Sequence, residues 1–159
     1  VLQASHLVTL LPPYHRNFGK RLTKAPKLYF LDSGLACHLL GISHPETLVT
    51  HAMRGALFET WVVSEFLKAA HNAGMTPALW FWRDSAGHEV DLLTEQAGGL
   101  KAIEIKSGMT LAADWFDGLE RFGRHAPEAH RTLIYAGDSS QSRTHCSVVD
   151  WRHIANAIG

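Results

Sequence analysis

Cysteine is scarce here: Cys37 and Cys146 are the only two in 159 residues. That excludes a disulfide-stapled scaffold, and a reducing cytoplasm is the expected compartment, with both thiols read as core residues. Acidic residues are missing from the N-terminal stretch. None precedes Asp32, whereas Arg16, Lys20, Arg21, Lys24 and Lys27 fall close together. That stretch is basic and the rest mildly acidic, so the formal net charge of zero hides an asymmetry. With no global field toward nucleic acid or anionic membrane, such binding needs a local patch. No apolar run reaches the ~18–20 residues that span a bilayer, so no membrane partner is expected. The opening Val1-Leu2-Gln3-Ala4-Ser5-His6 has no basic leader or cleavage pattern and does not read as a signal peptide; without an initiator Met, the chain reads as a fragment of a longer one.

Several chemistries lack their motifs. No Gly-x-x-x-x-Gly-Lys-Ser/Thr occurs, so this chain is not expected to bind ATP by itself. The eleven histidines show neither zinc-finger nor His-Glu-x-x-His spacing and read as scattered surface or packed residues. Ser33 and Ser107 lack a Gly-x-Ser-x-Gly context, which argues against serine hydrolysis.

What is present is a globular composition, 46% hydrophobic and 19% charged. The length suits one domain of ordinary size with a small appendage. Residues 7–11 read as a strand or a helix end, stopped by Pro12-Pro13, and 14–20 as a basic loop. A strand is expected over 27–31, then a helix over 35–40 with Asp32-Ser33-Gly34 as its cap and Gly41 as its stop. Residues 42–50 read as a loop. The strongest helix runs over 55–73, where Leu57, Phe58, Trp61, Val62, Phe66 and Leu67 form a wide apolar stripe. Glu59 lies at helical spacing from Val63 and Phe66, so an acid sits on or beside the inward face. Strands follow over 78–83, 88–94 and 100–106, then a helix over 112–123, a strand over 131–136, another over 142–149 and a short helix over 151–158. The expected fold is α/β: an α-β-β-β-α-β core with a central mixed sheet flanked by helices.

The chemistry concentrates in one hairpin. His88-Glu89-Val90-Asp91-Leu92-Leu93 is followed, after a glycine turn, by Leu100-Lys101-Ala102-Ile103-Glu104-Ile105-Lys106. A two-residue turn at Ala97-Gly98 puts Asp91 opposite Glu104. Strand alternation then sends Glu104 and Lys106 to one face, with Asp91 joining them and Ile103 and Ile105 pointing away. Adjacent carboxylates repel unless a cation neutralises them, and hard oxygen donors of this kind suit Mg²⁺ or Mn²⁺. Lys106 would position a nucleophile or offset developing charge, and Glu59 would support the metal or its water. The competing reading is a solvated charged face. Trp82, beside the hairpin, reads as core or as the rim of a substrate groove.

At these residues the chain resembles the PD-(D/E)XK nuclease superfamily, whose restriction-endonuclease-like core runs helix, three meandering strands, helix, strand. Asp91 matches its acid on the second strand, Glu104-Ile105-Lys106 its (D/E)-x-K, and Glu59 its helix glutamate; Val90 stands where many members carry proline. A longer likeness starts at Lys20-Arg21-Leu22-Thr23-Lys24-Ala25-Pro26-Lys27-Leu28-Tyr29-Phe30-Leu31-Asp32-Ser33-Gly34 and continues through Leu57-Phe58-Glu59-Thr60-Trp61. It is similar to an uncharacterised C-terminal domain of prokaryotic AAA-type ATPases. The resemblance implies a division into a basic linker or winged-helix-like remnant with a short helix over 1–50 and a nuclease-like domain over 51–159. It also implies an N-terminal ATPase domain, holding the ATP, as partner within the intact protein.

The expected function is a nuclease-like module for magnesium-dependent hydrolysis of DNA phosphodiesters. Its catalytic residues would be Asp91, Glu104, Lys106 and Glu59, its metal ligands Asp91, Glu104 and Glu59. Arg16, Lys20, Arg21 and Lys24, with Tyr14 and Phe18 interleaved, read first as a surface loop or an interface for the ATPase domain, and otherwise as contacts to nucleic-acid phosphates and bases. The alternative is a non-catalytic DNA- or protein-binding regulatory module; a third reading is a structural oligomerisation domain.

Overall fold

The computed structural model describes residues 1–14, 25–96 and 98–158. Two N-terminal strands, β1 (Val8–Leu11) and β2 (Lys27–Phe30), pair antiparallel as a separate ribbon, with Val8 opposite Phe30 and Leu11 opposite Lys27. Helix α1 (Ser33–Leu39) follows, its N-terminus capped by the Asp32 carboxylate, which accepts from the Leu35 N–H. It ends at Gly41, whose φ of 73° only glycine adopts without strain.

The stretch expected as a loop over 42–50 instead contains a short helix, α2 (Pro45–Thr50). Pro45 at its first turn is pre-set for helical φ. None of its residues is buried, so no apolar stripe announced it. Helix α3 (Arg54–Asn72) is the long expected one, burying Leu57, Val62, Val63 and Phe66.

Then come β3 (Leu79–Arg83), β4 (Glu89–Gln96) and β5 (Gly99–Lys106), an antiparallel meander. The helix expected over 112–123 begins as a 3₁₀ turn, Ala113–Phe116, and continues as α4 (Asp117–Gly123). Strand β6 (His130–Tyr135) returns parallel to β5. The single strand expected over 142–149 is a hairpin: β7 (Gln141–Arg143) and β8 (Cys146–Asp150), antiparallel, with Arg143 paired to Cys146. A 3₁₀ turn, Trp151–His153, and α5 (Ala155–Ile158) end the described chain.

The six strands form one mixed sheet in the order β3-β4-β5-β6-β8-β7. A core lies on each face. On one, α3 and α5 pack Val62, Val63, Phe66 and Ala157 against Leu79, Phe81, Leu92, Ile103, Ile105 and Ile134, with Leu11 and Tyr29 of the ribbon joining. On the other, Phe116, Leu119 and Phe122 cover Trp82, Val90, Leu93, Leu100, Ala102 and Leu133. The fold is therefore α/β, with helices on both faces as expected. The ribbon meets the sheet at Phe81, whose carbonyl accepts from the Tyr14 N–H (2.7 Å) and whose N–H donates to the Pro12 carbonyl (3.1 Å). Among the described residues, no helix is long and apolar enough to cross a membrane.

Candidate functional site

The hairpin register is the one the two-residue turn implies: Leu92 pairs with Ile103 and Gln96 with Gly99. Ala97 itself lies outside the described residues. The strands do not stay regular, however. Val90 belongs to the core under α4 and Leu92 to the core under α3, yet residues two apart on a regular strand share a face. A bulge over Asp91 resolves the conflict, and the β3–β4 pairing shifts register at the same level, between Trp80 and Trp82.

Here β4 and β5 part, and the Asp91 carboxylate fills the space. Its Oδ2 accepts from the Ile105 N–H at 2.9 Å, doing the work of a ladder carbonyl. Asp91 thus does not project from one face with Glu104 and Lys106, as regular alternation would have it. It lies between the faces. Ile103 and Ile105 point into the α3 core, so alternation sends Glu104 toward α4, where its Oε2 lies 3.2 Å from where a Cβ on Gly118 would sit.

On the α3 side, Asp91 meets Glu59 and Glu89. One carboxylate oxygen from each of the three falls within 4.8 Å of the others. Glu59 comes from α3 as expected; Glu89 precedes the bulge on β4. Lys27 reaches in from β2, its Nζ 2.9 Å from Glu59 Oε1 and 3.8 Å from Asp91 Oδ1, and in contact with Glu89 Oε1. The Tyr29 hydroxyl donates to Glu59 Oε1, and Arg83 binds the other oxygen of Glu89.

On the α4 side, the Lys106 ammonium donates to Glu104 Oε1 at 2.6 Å. Glu104 Oε2 is buried without a hydrogen-bond partner among the described residues. An orphaned carboxylate oxygen is costly unless it is protonated or takes a ligand.

The electrostatics follow from this crowding. Burial, then the charges of Glu104 and Glu59, push the Asp91 carboxyl well above its usual range, outweighing Lys27 and the Ile105 N–H. Burial raises Glu104 too, against the pull of Lys106, with Glu89 and Glu59 adding to the rise. Lys106 resists the lowering effect of burial because Glu104, then Asp91 and Glu59, hold its proton. The two halves of the cluster therefore feel one another directly, Glu104 and Lys106 sensing Glu59 as well as Asp91. Shifts of this kind concentrate at functional sites, though ion-pair networks produce them as well.

A divalent metal fits this donor set. The converging atoms of Glu59, Glu89 and Asp91 are all hard carboxylate oxygens; Glu104, expected as a ligand, is not in that group, and its unpartnered Oε2 lies on the α4 side. The residues able to hold it are Asp91, Glu59 and Glu89, with Glu104 beside them. Sequence reasoning missed Glu89, Lys27 and Tyr29. Glu89 carried a weak signal, two residues before Asp91. Lys27 and Tyr29 carried none, since a lysine and a tyrosine on an apolar strand are ordinary.

Trp82 does not rim a groove. It is 2% exposed and packs edge-on to Phe122, with ring centroids 5.3 Å apart. Arg16, Lys20, Arg21, Lys24 and Phe18 lie outside the described residues. Tyr14 stacks edge-on against Trp80 at 5.5 Å.

A family model described as "Domain of unknown function (DUF4143)" matches residues 54–154, and one described as "Domain of unknown function (DUF8612)" matches residues 1–46. An uncharacterized protein of Mycobacterium bovis and one of Mycobacterium tuberculosis are each 34% identical to the chain over 105 residues. The match covers 65% of this chain and 23% of each relative. No solved structure matches the chain.

Proposed function

The chain belongs to the family described as "Domain of unknown function (DUF4143)", and from that premise we propose that it is a nuclease-like module hydrolysing DNA phosphodiester bonds with Mg²⁺ or Mn²⁺. The observation that carries the reading is the parting of β4 and β5 at Asp91. It brings Asp91, Glu59 and Glu89 within reach of one another, with the Glu104–Lys106 pair beside them. The likeness to the PD-(D/E)XK superfamily supports the same assignment at Asp91, Glu104, Lys106 and Glu59.

In this reading Asp91, Glu104 and Glu59 hold the cation, joined by Glu89. When bound, a divalent ion supplies Lewis acidity and a water of lowered pKa. The chain's own residues do the rest. Lys106, held by Glu104, presents ammonium protons to the attacking oxygen or to a phosphoryl oxygen as charge builds. Ile105 fixes the Asp91 carboxylate through its N–H, so the acid is oriented before substrate arrives. In the intact protein an N-terminal AAA-type ATPase domain would carry the ATP, the setting would be cytoplasmic, and Arg16, Lys20, Arg21 and Lys24 would contact DNA phosphates.

The test is calorimetric titration with Mn²⁺ beside a cleavage assay on plasmid and single-stranded DNA. The expected result is binding that vanishes in Asp91→Asn, and cleavage lost in Asp91→Ala and Lys106→Ala with circular dichroism unchanged. A chain that takes up Mn²⁺ neither as wild type nor with Lys27→Met sinks the reading. One observation favours the non-catalytic alternative: Lys27 already pairs with all three clustered acids. On that reading the cluster is a salt-bridge network within a regulatory module of the ATPase.

A further inference from the structure

Lys27 is the group that the nuclease-like reading leaves without a role. Its ammonium touches or approaches Glu59, Glu89 and Asp91 together. Those acids are, among the described residues, the one group of three whose ligand atoms converge closely enough to hold a metal ion. An ammonium and a divalent ion make the same demand, oxygen donors converging on a positive centre. They cannot share the place, because two cations a few ångströms apart in a half-buried site repel strongly.

The way Lys27 is delivered adds to the argument. It stands on β2, in a ribbon separate from the six-stranded sheet. The ribbon meets that sheet in backbone hydrogen bonds at Pro12 and Tyr14 against Phe81. The neighbouring Tyr29 hydroxyl holds Glu59, and the Lys27 ammonium lies 5.5 Å from the Phe81 ring centre. The Lys27 side chain keeps 20% of its surface in solvent, so it borders water on one side. One ammonium serves three carboxylates, while Arg83 binds only Glu89.

We propose that Lys27 is a built-in counter-cation: it closes the carboxylate cluster to divalent ions and withdraws when one binds. This rests on the metal reading above and deepens it.

The experiment compares Mn²⁺ binding by the wild-type chain and by Lys27→Met, with folding checked by circular dichroism. Removing one positive charge from contact with the ligands is expected to tighten binding at least about tenfold. Because Lys27→Met exposes the acids to one another and can cost the fold, a second measurement uses the wild-type chain. Reductive methylation of Lys27, followed by mass spectrometry, is expected to accelerate several-fold in excess Mg²⁺, and not to do so in Asp91→Asn. Equal Mn²⁺ affinity in wild type and Lys27→Met overturns the inference and leaves the metal reading standing. Lys27 methylation that Mg²⁺ leaves unchanged or slows does the same. Failure of both proteins to bind Mn²⁺ removes the inference and the metal reading together.

Discussion

The Ile105 N–H donates to Asp91 Oδ2 across 2.9 Å, where the next rung of a regular β4–β5 ladder would use a carbonyl. A side chain thus stands in for backbone at the point where the strands part. Asp91→Asn keeps an acceptor there and is expected to fold. Asp91→Leu strands the amide, which costs about 1–3 kcal/mol when the donor is buried. Thermal melts of the two variants are expected to separate them, the leucine variant lower; equal melting would mean the bond carries no stability.

Gly118 is the second strict requirement of the site. A Cβ there would lie 2.3 Å from the Glu89 carbonyl oxygen and 3.2 Å from Glu104 Oε2. Backbone cannot yield as a flexible side chain does. Gly118→Ala is therefore expected to push α4 away from β4, at about 1–3 kcal/mol of overpacking strain. Urea denaturation measures the loss, and a neutral result would show that α4 slides freely over the strand.

Tyr29 gives a milder case. Burial first, then Glu59, raise its pKa, so the phenol stays a neutral donor to Glu59. Tyr29→Phe removes that donor while Lys27 remains on the same oxygen. The expected cost is about 1.5 kcal/mol, at the low end for a bond to a charged group because Glu59 keeps a partner. The check is the denaturation midpoint, read at unchanged slope.

Asp150 sets a pH dependence away from the cluster. It is 1% exposed and accepts from Ser140 Oγ (2.7 Å) and the Arg152 N–H (3.2 Å), with His153 Nδ1 at 2.7 Å. Burial acts to raise its pKa, but the Ser140 hydroxyl, His153 and the Arg152 N–H together bring it below the ordinary 3.8. A depressed carboxylate stabilises the fold above its unfolded pKa and loses that contribution as pH falls through the folded value. Asp150→Asn is expected to melt below wild type at neutral pH, with the gap closing as the pH drops below the unfolded value of 3.8. A gap that stays constant down to the acid limit would show that charge has no part in it.

Much of the architecture was legible in the order of residues. The stripe of Leu57, Val62, Val63 and Phe66 repeats at helical period, and α3 forms where that repeat runs. The pairing of Leu92 with Ile103 follows from a two-residue turn at Ala97-Gly98, but the run of glycines alone allowed other loop lengths, each with another register. Helix α2 escaped notice because none of its residues is fully buried; only Leu48 packs, half-buried, against Ala36, Ile42 and Leu57, and one contact leaves no periodic trace. The 3₁₀ start of the segment before α4 and the split of β7 from β8 were likewise invisible in the apolar pattern.

The site divides along the same line. Asp91, Glu104, Lys106 and Glu59 stood out because a charge interrupting an apolar period is visible within a few positions of the chain. The bulge that turns Asp91 between the faces, the arrival of Glu89, and the reach of Lys27 and Tyr29 to Glu59 across 32 and 30 positions were not. Periodicity records what a residue's own element buries. Which charges meet depends on how separate elements dock, and docking is decided by the packing of Tyr29, Phe81 and Val63 in a shared core rather than by any local pattern.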